Sequence, residues 1–317
     1  IHERANVNGK RNSAQKTTIM KHIIIGSRGS DLALWQAYFV KAELEKINCS
    51  VEIKIIKTQG DKIQHLSFDK LEGKGFFTKE IEDALLSKEI DLAVHSHKDL
   101  ETTPPEDLMI ACVSDRANPA DALLINKNAV DSAQKWSLKQ NAKVGTSSAR
   151  RKAQFLNRRS DVSIADLRGN VPTRIDKLRS GNYDAILLAK AGLDRLELNL
   201  EEFHVLTLEP KEFIPAPAQG VLGLQIRNED TELFDVLQKM NFPDVQKRIE
   251  LERKVLNLLD GGCQLPLGVY CTPENELFVS FAKHSAGKCF ELKYQVESFE
   301  GMAEKVIDDL KKVVTFE

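Results

Sequence analysis

Short apolar segments alternate with helical segments along most of this chain, and a polar turn follows each apolar segment. The first unit consists of an apolar run at residues 22–25, a turn at 26–30 and a helical stretch at 31–47. Similar units span residues 142–158 and 163–180. A helix that crosses between two strands makes them parallel and covers a face of the sheet. The alternation therefore predicts α/β domains. A further apolar strand, at residues 221–226, is expected to return to the first sheet.

The last part of the chain has a different order of segments. A helix from residue 244 to about 259 precedes three strand-like segments at 269–271, 277–283 and 289–296, and a helix follows at 301–314. Consecutive strands followed by a helix are typical of an antiparallel sheet covered on one side. We therefore expect a small α+β domain here.

Length and charge narrow the function classes. A chain of 317 residues is too long for one simple core, so two or three domains are expected. The formal net charge of −2 provides no global field for nucleic acid or an anionic membrane, and we expect neither partner. No apolar run reaches transmembrane length. The 5 cysteines are scattered without a C-x-x-C pair, which argues against a disulfide framework and a metal site and favours the reducing cytoplasm.

The segment before Met20 has its own composition. Residues 1–19 are polar and lack the apolar core of a secretory signal. We interpret residues 1–20 as a disordered extension or an artefact. An organelle transit peptide is the alternative, because the segment is basic and contains Ser and Thr.

Polar side chains collect just after the predicted strands, where ligands bind in open parallel sheets. Arginine dominates the set, which comprises Ser27, Arg28, Ser96, Lys98, Asp99, Thr146, Ser147, Ser148, Arg150, Arg151, Arg168, Asn170, Arg174 and Arg195. A guanidinium group matches the geometry of carboxylates, and helix N-termini also favour anions. The set predicts a small or medium-sized ligand with several negative groups. For Arg150 and Arg151, a solvated helix face is the alternative.

Asp99 is the only acid among residues 95–99. A carboxylate beside cations can accept N–H groups or move a proton, although a turn-capping aspartate is the alternative. His95 and His97 would face opposite sides of a continued strand, which argues against a two-histidine metal site.

Cys263 lies in a turn rich in glycine and proline, at residues 261–268. A thiol on such a loop can reach into a cleft, whereas the alternative is a small buried hydrophobic side chain. Residues 60–75 form another glycine-bounded polar segment. Its Gly73-Lys74-Gly75 lacks the spacing of a phosphate loop, so we expect a flexible loop over a cleft, acting as a lid.

Together, these segments resemble the porphobilinogen deaminase (hydroxymethylbilane synthase) family. The matching motifs occur in the family's order and are GSRGSDLALWQA at 26–37, GKGFFTKE at 73–80, AVHSHKD at 93–99, VGTSSARR at 144–151, LRGNVPTR at 167–174, PAQG at 217–220 and GGC at 261–263. The departure we note is His97, where the family commonly has Met.

The resemblance implies a fold of two periplasmic-binding-protein-like (type II) α/β domains flanking a cleft, plus a small C-terminal α+β domain with a three-stranded antiparallel sheet. The implied first domain is discontinuous and contains residues 21–117 and 219–238. The second contains residues 118–218. The third contains residues 239–317 and carries the cofactor cysteine.

The resemblance also implies the activity. Family members join four porphobilinogen molecules head to tail and release ammonia to give hydroxymethylbilane, on a dipyrromethane primer bound by a thioether to the loop cysteine, here Cys263. The implied catalytic residues are Asp99, Lys98 and Arg28. The implied cofactor-binding residues are Cys263, Ser96, Lys98, Asp99, Thr146, Ser147, Ser148, Arg150, Arg151, Arg168 and Gly169. The implied substrate-binding residues are Arg28, Ser27, Gln36, Arg168, Arg174, Arg195 and Gln219. A cytoplasmic monomer without a metal is expected.

A binding protein of the same architecture is the alternative. A solute-binding or effector-sensing protein that recognises a multi-carboxylate ligand would use the same arginines. The sequence shows neither a secretion signal nor a helix-turn-helix motif, and the Cys263 loop would have no role in such a protein.

Overall fold

The computed structural model describes residues 21–58, 78–259 and 265–313. Numbered along the chain, the strands are β1 His22–Ser27, β2 Ser50–Ile55, β3 Leu92–Ser96, β4 Leu108–Val113, β5 Asp121–Asn126, β6 Lys143–Gly145, β7 Ser163–Ala165, β8 Ala185–Ala189, β9 Phe203–Thr207, β10 Leu222–Arg227, β11 Leu267–Cys271, β12 Glu276–Phe281 and β13 Phe290–Gln295. The α-helices are α1 Asp31–Lys46, α2 Lys79–Leu86, α3 Ala149–Arg158, α4 Val171–Arg179, α5 Lys190–Leu196, α6 Thr231–Gln238, α7 Pro243–Leu258 and α8 Met302–Val313. None of the helices within these ranges is long and apolar enough to cross a membrane.

The first sheet has the strand order β2-β1-β3-β10-β4. β1 pairs in parallel with β2 and β3, whereas β10 lies antiparallel between β3 and β4. Buried side chains of α1, including Val40 and Leu44, join the apolar core on this sheet. The predicted return of residues 221–226 to the first sheet is confirmed.

The second sheet repeats this arrangement with the order β7-β6-β8-β5-β9. β6 pairs in parallel with β7 and β8, and β5 lies antiparallel between β8 and β9. Phe155 of α3 and Ile175 of α4 are buried in two separate core clusters of this unit. Helices therefore supply apolar side chains to more than one cluster, as an α/β unit requires.

The antiparallel strand in each of these sheets is the one that arrives from the other sheet. The chain passes from β4 to β5 through residues 114–120, and from β9 to β10 through residues 208–221; we call these the crossing segments. They bond to each other, because the Ala117 amide donates to the Gly220 carbonyl at 3.1 Å. The two α/β units are therefore joined by a pair of hydrogen-bonded connections.

The third sheet is antiparallel, with the order β11-β12-β13. Its core includes Leu251 and Val255 from α7 and Val306 from α8. The three sheets confirm the predicted fold class of two α/β units and one smaller α+β unit.

A buried carboxylate connects the third unit to the crossing segments. Glu252 of α7 is fully buried and accepts hydrogen bonds from both terminal nitrogens of Arg116, at 2.6 and 3.1 Å. It also accepts from the backbone amides of Ala218 at 2.7 Å and Cys271 at 2.8 Å. A buried carboxylate is tolerated only when it is paired and hydrogen-bonded in this way. Glu252 therefore holds α7 at one position relative to both α/β units.

Candidate active site

The carboxyl ends of β1 and β3 lie side by side, because these strands are parallel neighbours. Arg28 follows β1, and a 3₁₀ turn that contains Lys98 and Asp99 follows β3. The Gln36 side chain of α1 donates to Ser96 Oγ at 2.8 Å. Asp99 is exposed, whereas Arg28 and Lys98 are half-buried. The structure brings these predicted residues to one edge of the first sheet.

Ser27 supports this edge from inside the protein. Its side chain is fully buried, and its hydroxyl lies 3.1 Å from the carbonyl oxygens of both Arg28 and Ala33. The hydroxyl is therefore used within the turn between β1 and α1. This placement favours a supporting role for Ser27 over the predicted contact with substrate.

The turn after β6 forms the corresponding edge of the second sheet. Ser148 caps α3, since its hydroxyl accepts from the Arg151 amide. Thr146 Oγ1 accepts from the Ser148 amide at 3.2 Å. The Ser147 hydroxyl donates to the Leu167 carbonyl and accepts from the Leu167 amide, both at 3.0 Å. All three predicted side chains thus shape the backbone that begins α3 and leads to α4.

Arg150 and Arg151 converge on a carboxylate that the sequence analysis missed. Asp121, the first residue of β5, is fully buried and accepts from Arg150 Nη1 at 2.7 Å and from Arg151 Nη2 at 2.7 Å. Burial alone would raise the pKa of Asp121, but the two guanidinium groups hold it far below its usual range. Arg150 and Arg151 are themselves only 4% and 6% exposed. The alternative of a solvated helix face is therefore wrong for both arginines.

Gln219 of the second crossing segment connects the two edges. Its amide nitrogen donates to Asp121 Oδ1 at 3.0 Å, and its amide oxygen accepts from Lys98 Nζ at 3.3 Å. Burial lowers the pKa of Lys98 to about 8, with Asp99 opposing the shift and Arg151 adding to it. A chain of polar contacts therefore runs from the turn after β3 to the arginine pair on α3. This gives Gln219 a positioning role, which differs from the substrate contact predicted for it.

Arg174 extends the positive charge toward Asp99. It is half-buried on α4, and its Nε donates to the Gly169 carbonyl at 2.7 Å. Burial lowers the pKa of Arg174 to about 10, with Arg151 adding to the shift and Asp99 opposing it. Arg168 is half-buried in the same region and also lowers this pKa. Arg174 thus lies within electrostatic reach of both edges.

The turn that carries Arg168 requires glycine at the next position. Gly169 has a φ of +113°, and a Cβ added there would lie 2.7 Å from Thr173 Cγ2. Any other residue would be strained and would clash with the first turn of α4. Close packing of the turn against α4 therefore requires the glycine.

Arg195 lies where the two α/β units meet. Its Nη2 donates to the Gly220 carbonyl at 2.9 Å, and its guanidinium group lies 5.6 Å from the ring centroid of Trp35 on α1. Burial lowers the pKa of Arg195 to about 10. The structure thus shows Arg195 as a contact between α5, α1 and a crossing segment, besides the substrate role predicted for it.

Comparisons with known proteins identify the family. A family model described as "Porphobilinogen deaminase, dipyromethane cofactor binding domain" matches residues 23–235. The chain belongs to the porphobilinogen deaminase family. Its members make this an enzyme of tetrapyrrole synthesis, which favours catalysis over the solute-binding alternative.

Curated members of the family match most of the chain. The porphobilinogen deaminase of Nitratidesulfovibrio vulgaris strain DP4 is 45% identical over 251 residues, which cover 78% of this chain and 78% of that protein. The Sulfurimonas denitrificans enzyme is 44% identical over 254 residues, or 79% of each chain. The Nostoc sp. enzyme is 44% identical over 250 residues, covering 78% of this chain and 76% of that one.

Solved structures with a similar course of the chain are much more distant in sequence. The periplasmic VFT2 domain of Bordetella pertussis BvgS aligns with a TM-score of 0.42 at 12% identity, covering 69% of this chain and 86% of that chain. An arginine-specific periplasmic binding protein of Salmonella typhimurium aligns with a TM-score of 0.39 at 11% identity, covering 69% and 91%.

The described residues fit the family's dipyrromethane cofactor, which carries carboxylates. Arg150 Nε is buried and has no hydrogen-bond partner. A buried donor without an acceptor is costly, and a ligand carboxylate would supply the missing acceptor.

Within residues 21–58, 78–259 and 265–313, no group of three His, Cys, Asp or Glu side chains could hold a metal ion.

Three predictions fall on residues that the structure does not describe. Cys263 lies outside the described ranges, and so do the expected lid at residues 60–75 and residues 1–20, which we interpreted as a disordered extension or an artefact. The attachment of the cofactor to Cys263 therefore stays a prediction, and so does the role of the lid.

Sequence reasoning missed two buried acids, Asp121 and Glu252. Both occur where an apolar pattern requires an inward-facing side chain: Asp121 precedes a fully apolar run, and Glu252 lies between Leu251 and the apolar pair Val255 and Leu256 of α7. A lone acid in such a position is expected to be paired, because burying an unpaired charge is expensive. The arginines of α3 are candidate partners for such an acid, so this rule could have predicted the pairing of Asp121 with Arg150 and Arg151.

Proposed function

We propose that this chain is a hydroxymethylbilane synthase, a transferase that joins four porphobilinogen molecules head to tail with release of ammonia. The observation that carries the proposal is the exposed carboxylate of Asp99, which lies within electrostatic reach of Lys98 and Arg174. These residues follow the carboxyl ends of parallel strands in the two α/β sheets. This arrangement can hold anions and move a proton at one place.

The cationic residues suit a substrate whose charge grows during the reaction. Each porphobilinogen carries an acetate and a propionate, so each added ring brings two carboxylates. Arg28 and Arg168 lie in turns that follow strands, and Arg174 lies on α4. All three are half-buried, so they can bind carboxylates while part of the water is excluded. Arg150 and Arg151 are more deeply buried, which suits a group that stays bound through every cycle.

The proposed cofactor is dipyrromethane, attached by a thioether to Cys263. When bound, it supplies the pyrrole carbon that forms the new bond to the incoming substrate. The residues that would hold its carboxylates are Arg150, Arg151 and Lys98, with Ser148 at the N-terminus of α3. The remaining predicted ligands at the turns after β3, β6 and β7 are Ser96, Thr146, Ser147, Arg168 and Gly169.

Asp99 is the proposed acid–base residue. As ammonia leaves the substrate, positive charge develops on the pyrrole ring, and a fixed carboxylate stabilises it. The same carboxylate can accept pyrrole N–H groups and take the proton that the attacked ring loses. Lys98 retains most of its positive charge at neutral pH, because its pKa of about 8 lies above that pH. Lys98 and Arg28 can therefore orient substrate carboxylates beside Asp99.

The domain boundaries are also part of the proposal. Residues 21–117 with 219–238 would form the first domain, residues 118–218 the second and residues 239–317 the third. The pairing of β10 with β3 and β4, and the two crossing segments, support this division. We further propose a cytoplasmic location, which the scattered cysteines support, and a monomeric state, which the resemblance to the family implies.

An intact-mass measurement tests the proposed function. The chain is purified from cells that make porphobilinogen, denatured and weighed beside the Cys263→Ser variant. We expect the chain without a substitution to carry the additional mass of two linked pyrrole units, and the Cys263→Ser variant to lack it. An unmodified mass that persists after incubation with porphobilinogen would overturn the proposal. An adduct retained by Cys263→Ser would place the attachment elsewhere.

A further inference from the structure

Helix α7 of the third unit reaches the turn that carries Lys98 and Asp99. Arg253 of α7 donates from Nη1 to the His97 carbonyl at 3.1 Å. From Nη2 it donates to the carbonyls of Leu100 at 3.1 Å and Glu101 at 2.5 Å. One guanidinium group therefore binds the backbone on both sides of Lys98 and Asp99.

The turn has few other backbone hydrogen bonds of its own. The Leu100 amide donates to the His97 carbonyl at 3.3 Å, and the His97 amide donates to the Val221 carbonyl at 2.9 Å. The His97 carbonyl therefore accepts from both the backbone and Arg253. For the carbonyls of Leu100 and Glu101, Arg253 supplies a donor from another unit of the protein.

A groove open to solvent lies between the turn and α7, with a volume of about 260 Å³ and a lining that includes His97, Ile110, Glu250, Arg253 and Asn257. The side chains of His97 and Leu100 are buried against β10, so packing fixes the turn on the side of the first sheet. On the side of α7, where the groove separates the two elements, the hydrogen bonds that Arg253 donates connect the turn to the helix.

Arg253 is presented by a helix that is itself fixed. Its neighbour Glu252 binds Arg116 and Ala218 of the crossing segments and Cys271 of β11. These contacts define the position of α7 relative to both α/β units. In the sequence, α7 also ends shortly before Cys263.

We propose that Arg253 is a positioning residue for the reaction, which sets the place of Asp99 and Lys98 relative to the helix that leads to the cofactor cysteine. The inference rests on the proposed function, because it assigns the chemistry to Asp99. Misplacement of a catalytic group by about 1 Å can cost roughly 100-fold in rate. An arginine that never touches the substrate can therefore control turnover.

The test compares Arg253→Lys and Arg253→Met with the matched control Lys254→Met. Lysine keeps the charge, but one ammonium nitrogen cannot reproduce the planar fork that spans three carbonyls. Lys254 is the adjacent residue, and its ion pair with Glu304 is half-exposed on both sides, so its removal is expected to change little. Steady-state kinetics with porphobilinogen and the cofactor mass are measured for each variant.

We expect both Arg253 variants to carry the full cofactor mass, with kcat reduced about 10- to 100-fold and KM within about twofold. Arg253→Met should be slower than Arg253→Lys. Amide hydrogen exchange at residues 97–101 should be faster in both variants. Lys254→Met should match the chain without a substitution in kcat and in amide hydrogen exchange.

Two outcomes would overturn the proposal: a normal kcat in Arg253→Lys with faster exchange, or unchanged exchange of residues 97–101 in that variant. If Arg253→Met does not fold, Arg253→Lys alone decides. Asp99→Asn is assayed in parallel to separate this inference from the proposed function. Near-normal turnover in Asp99→Asn would remove the proposed acid–base role, whereas an inactive Asp99→Asn beside a normal Arg253→Lys would remove only the positioning role.

Discussion

The two sheet edges at the candidate active site hold their charged side chains in different ways. On the second sheet, Arg150 and Arg151 are buried against Asp121, which is fully buried itself. On the first sheet, Asp99 is exposed, and the turn around it is bound from behind by Arg253.

The difference separates a binding function from a chemical one. A buried ion pair keeps its geometry whether or not a ligand is bound, so the second edge can grip a permanent cofactor without rearrangement. An exposed carboxylate keeps access to successive substrates, and its position depends on backbone contacts from other elements. Disturbing the first edge should therefore affect turnover, whereas disturbing the second should affect stability and cofactor retention.

The largest expected effect is on turnover when Asp99 is changed to Asn. Removing the proton acceptor should lower kcat by about 10²- to 10⁴-fold. Because Asp99 is exposed, the free energy of unfolding should change by less than about 0.5 kcal/mol. Porphobilinogen consumption and urea denaturation measure the two quantities. A large loss of stability with normal turnover in Asp99→Asn would contradict the comparison, because the first edge would then contribute to stability and not to turnover.

The next effect is on stability when Asp121 is changed to Asn. Two buried guanidinium groups would lose their counter-ion, which should lower the free energy of unfolding by about 3–5 kcal/mol. The matched control is Glu202→Gln, since Glu202 pairs with Arg179 on the surface and the pair should contribute less than about 1 kcal/mol.

Urea denaturation followed by tryptophan fluorescence checks this prediction, because Trp136 packs against Phe155 of α3 with ring centroids 4.7 Å apart. Equal unfolding midpoints for the Asp121 and Glu202 variants would show that the second edge is not held by its buried pair.

The smallest effect concerns pH and links the two edges through Lys98. Its pKa of about 8 lies below the usual 10.5, so Lys98 loses its positive charge as the pH rises through about 8. Losing one charge-assisted hydrogen bond to a carboxylate costs about 1.5 kcal/mol, or roughly tenfold in kcat/KM. We therefore expect kcat/KM to fall above about pH 8 in the chain without a substitution.

In Lys98→Arg the guanidinium group stays protonated, so this alkaline decrease should move to higher pH. The pH dependence of kcat/KM for both proteins checks the assignment. The same alkaline decrease in both would assign it to another group, such as the substrate's own amine.

Much of the fold could be predicted from local patterns. The units that begin with β1, β6 and β7 each show an apolar strand, a polar turn and a capped helix, and the N-caps Ser30, Ser148 and Asn170 occur where these turns end. Such features depend on neighbours in the sequence, and local hydrogen bonding is sufficient to produce them.

Strand β5 of the second sheet, which lies between β8 and β9, was not predicted. β5 is buried along almost its entire length, so its side chains show no alternation between apolar and polar residues. β9 and α6 were likewise not predicted. β5 pairs antiparallel with both β8 and β9, and both partners lie far from β5 in the sequence.

The sequence by itself determined the class of fold, the strand ends that carry polar residues and the excess of arginine among them, because these follow from hydrophobic pattern and turn chemistry. Only the tertiary structure decided what each polar side chain does. Asp121 pairs with Arg150 and Arg151, Gln219 bridges Lys98 to Asp121, and Arg253 binds the turn around Asp99. Each of these contacts joins residues that are distant in sequence, and burial sets their energies, so no local pattern could reveal them.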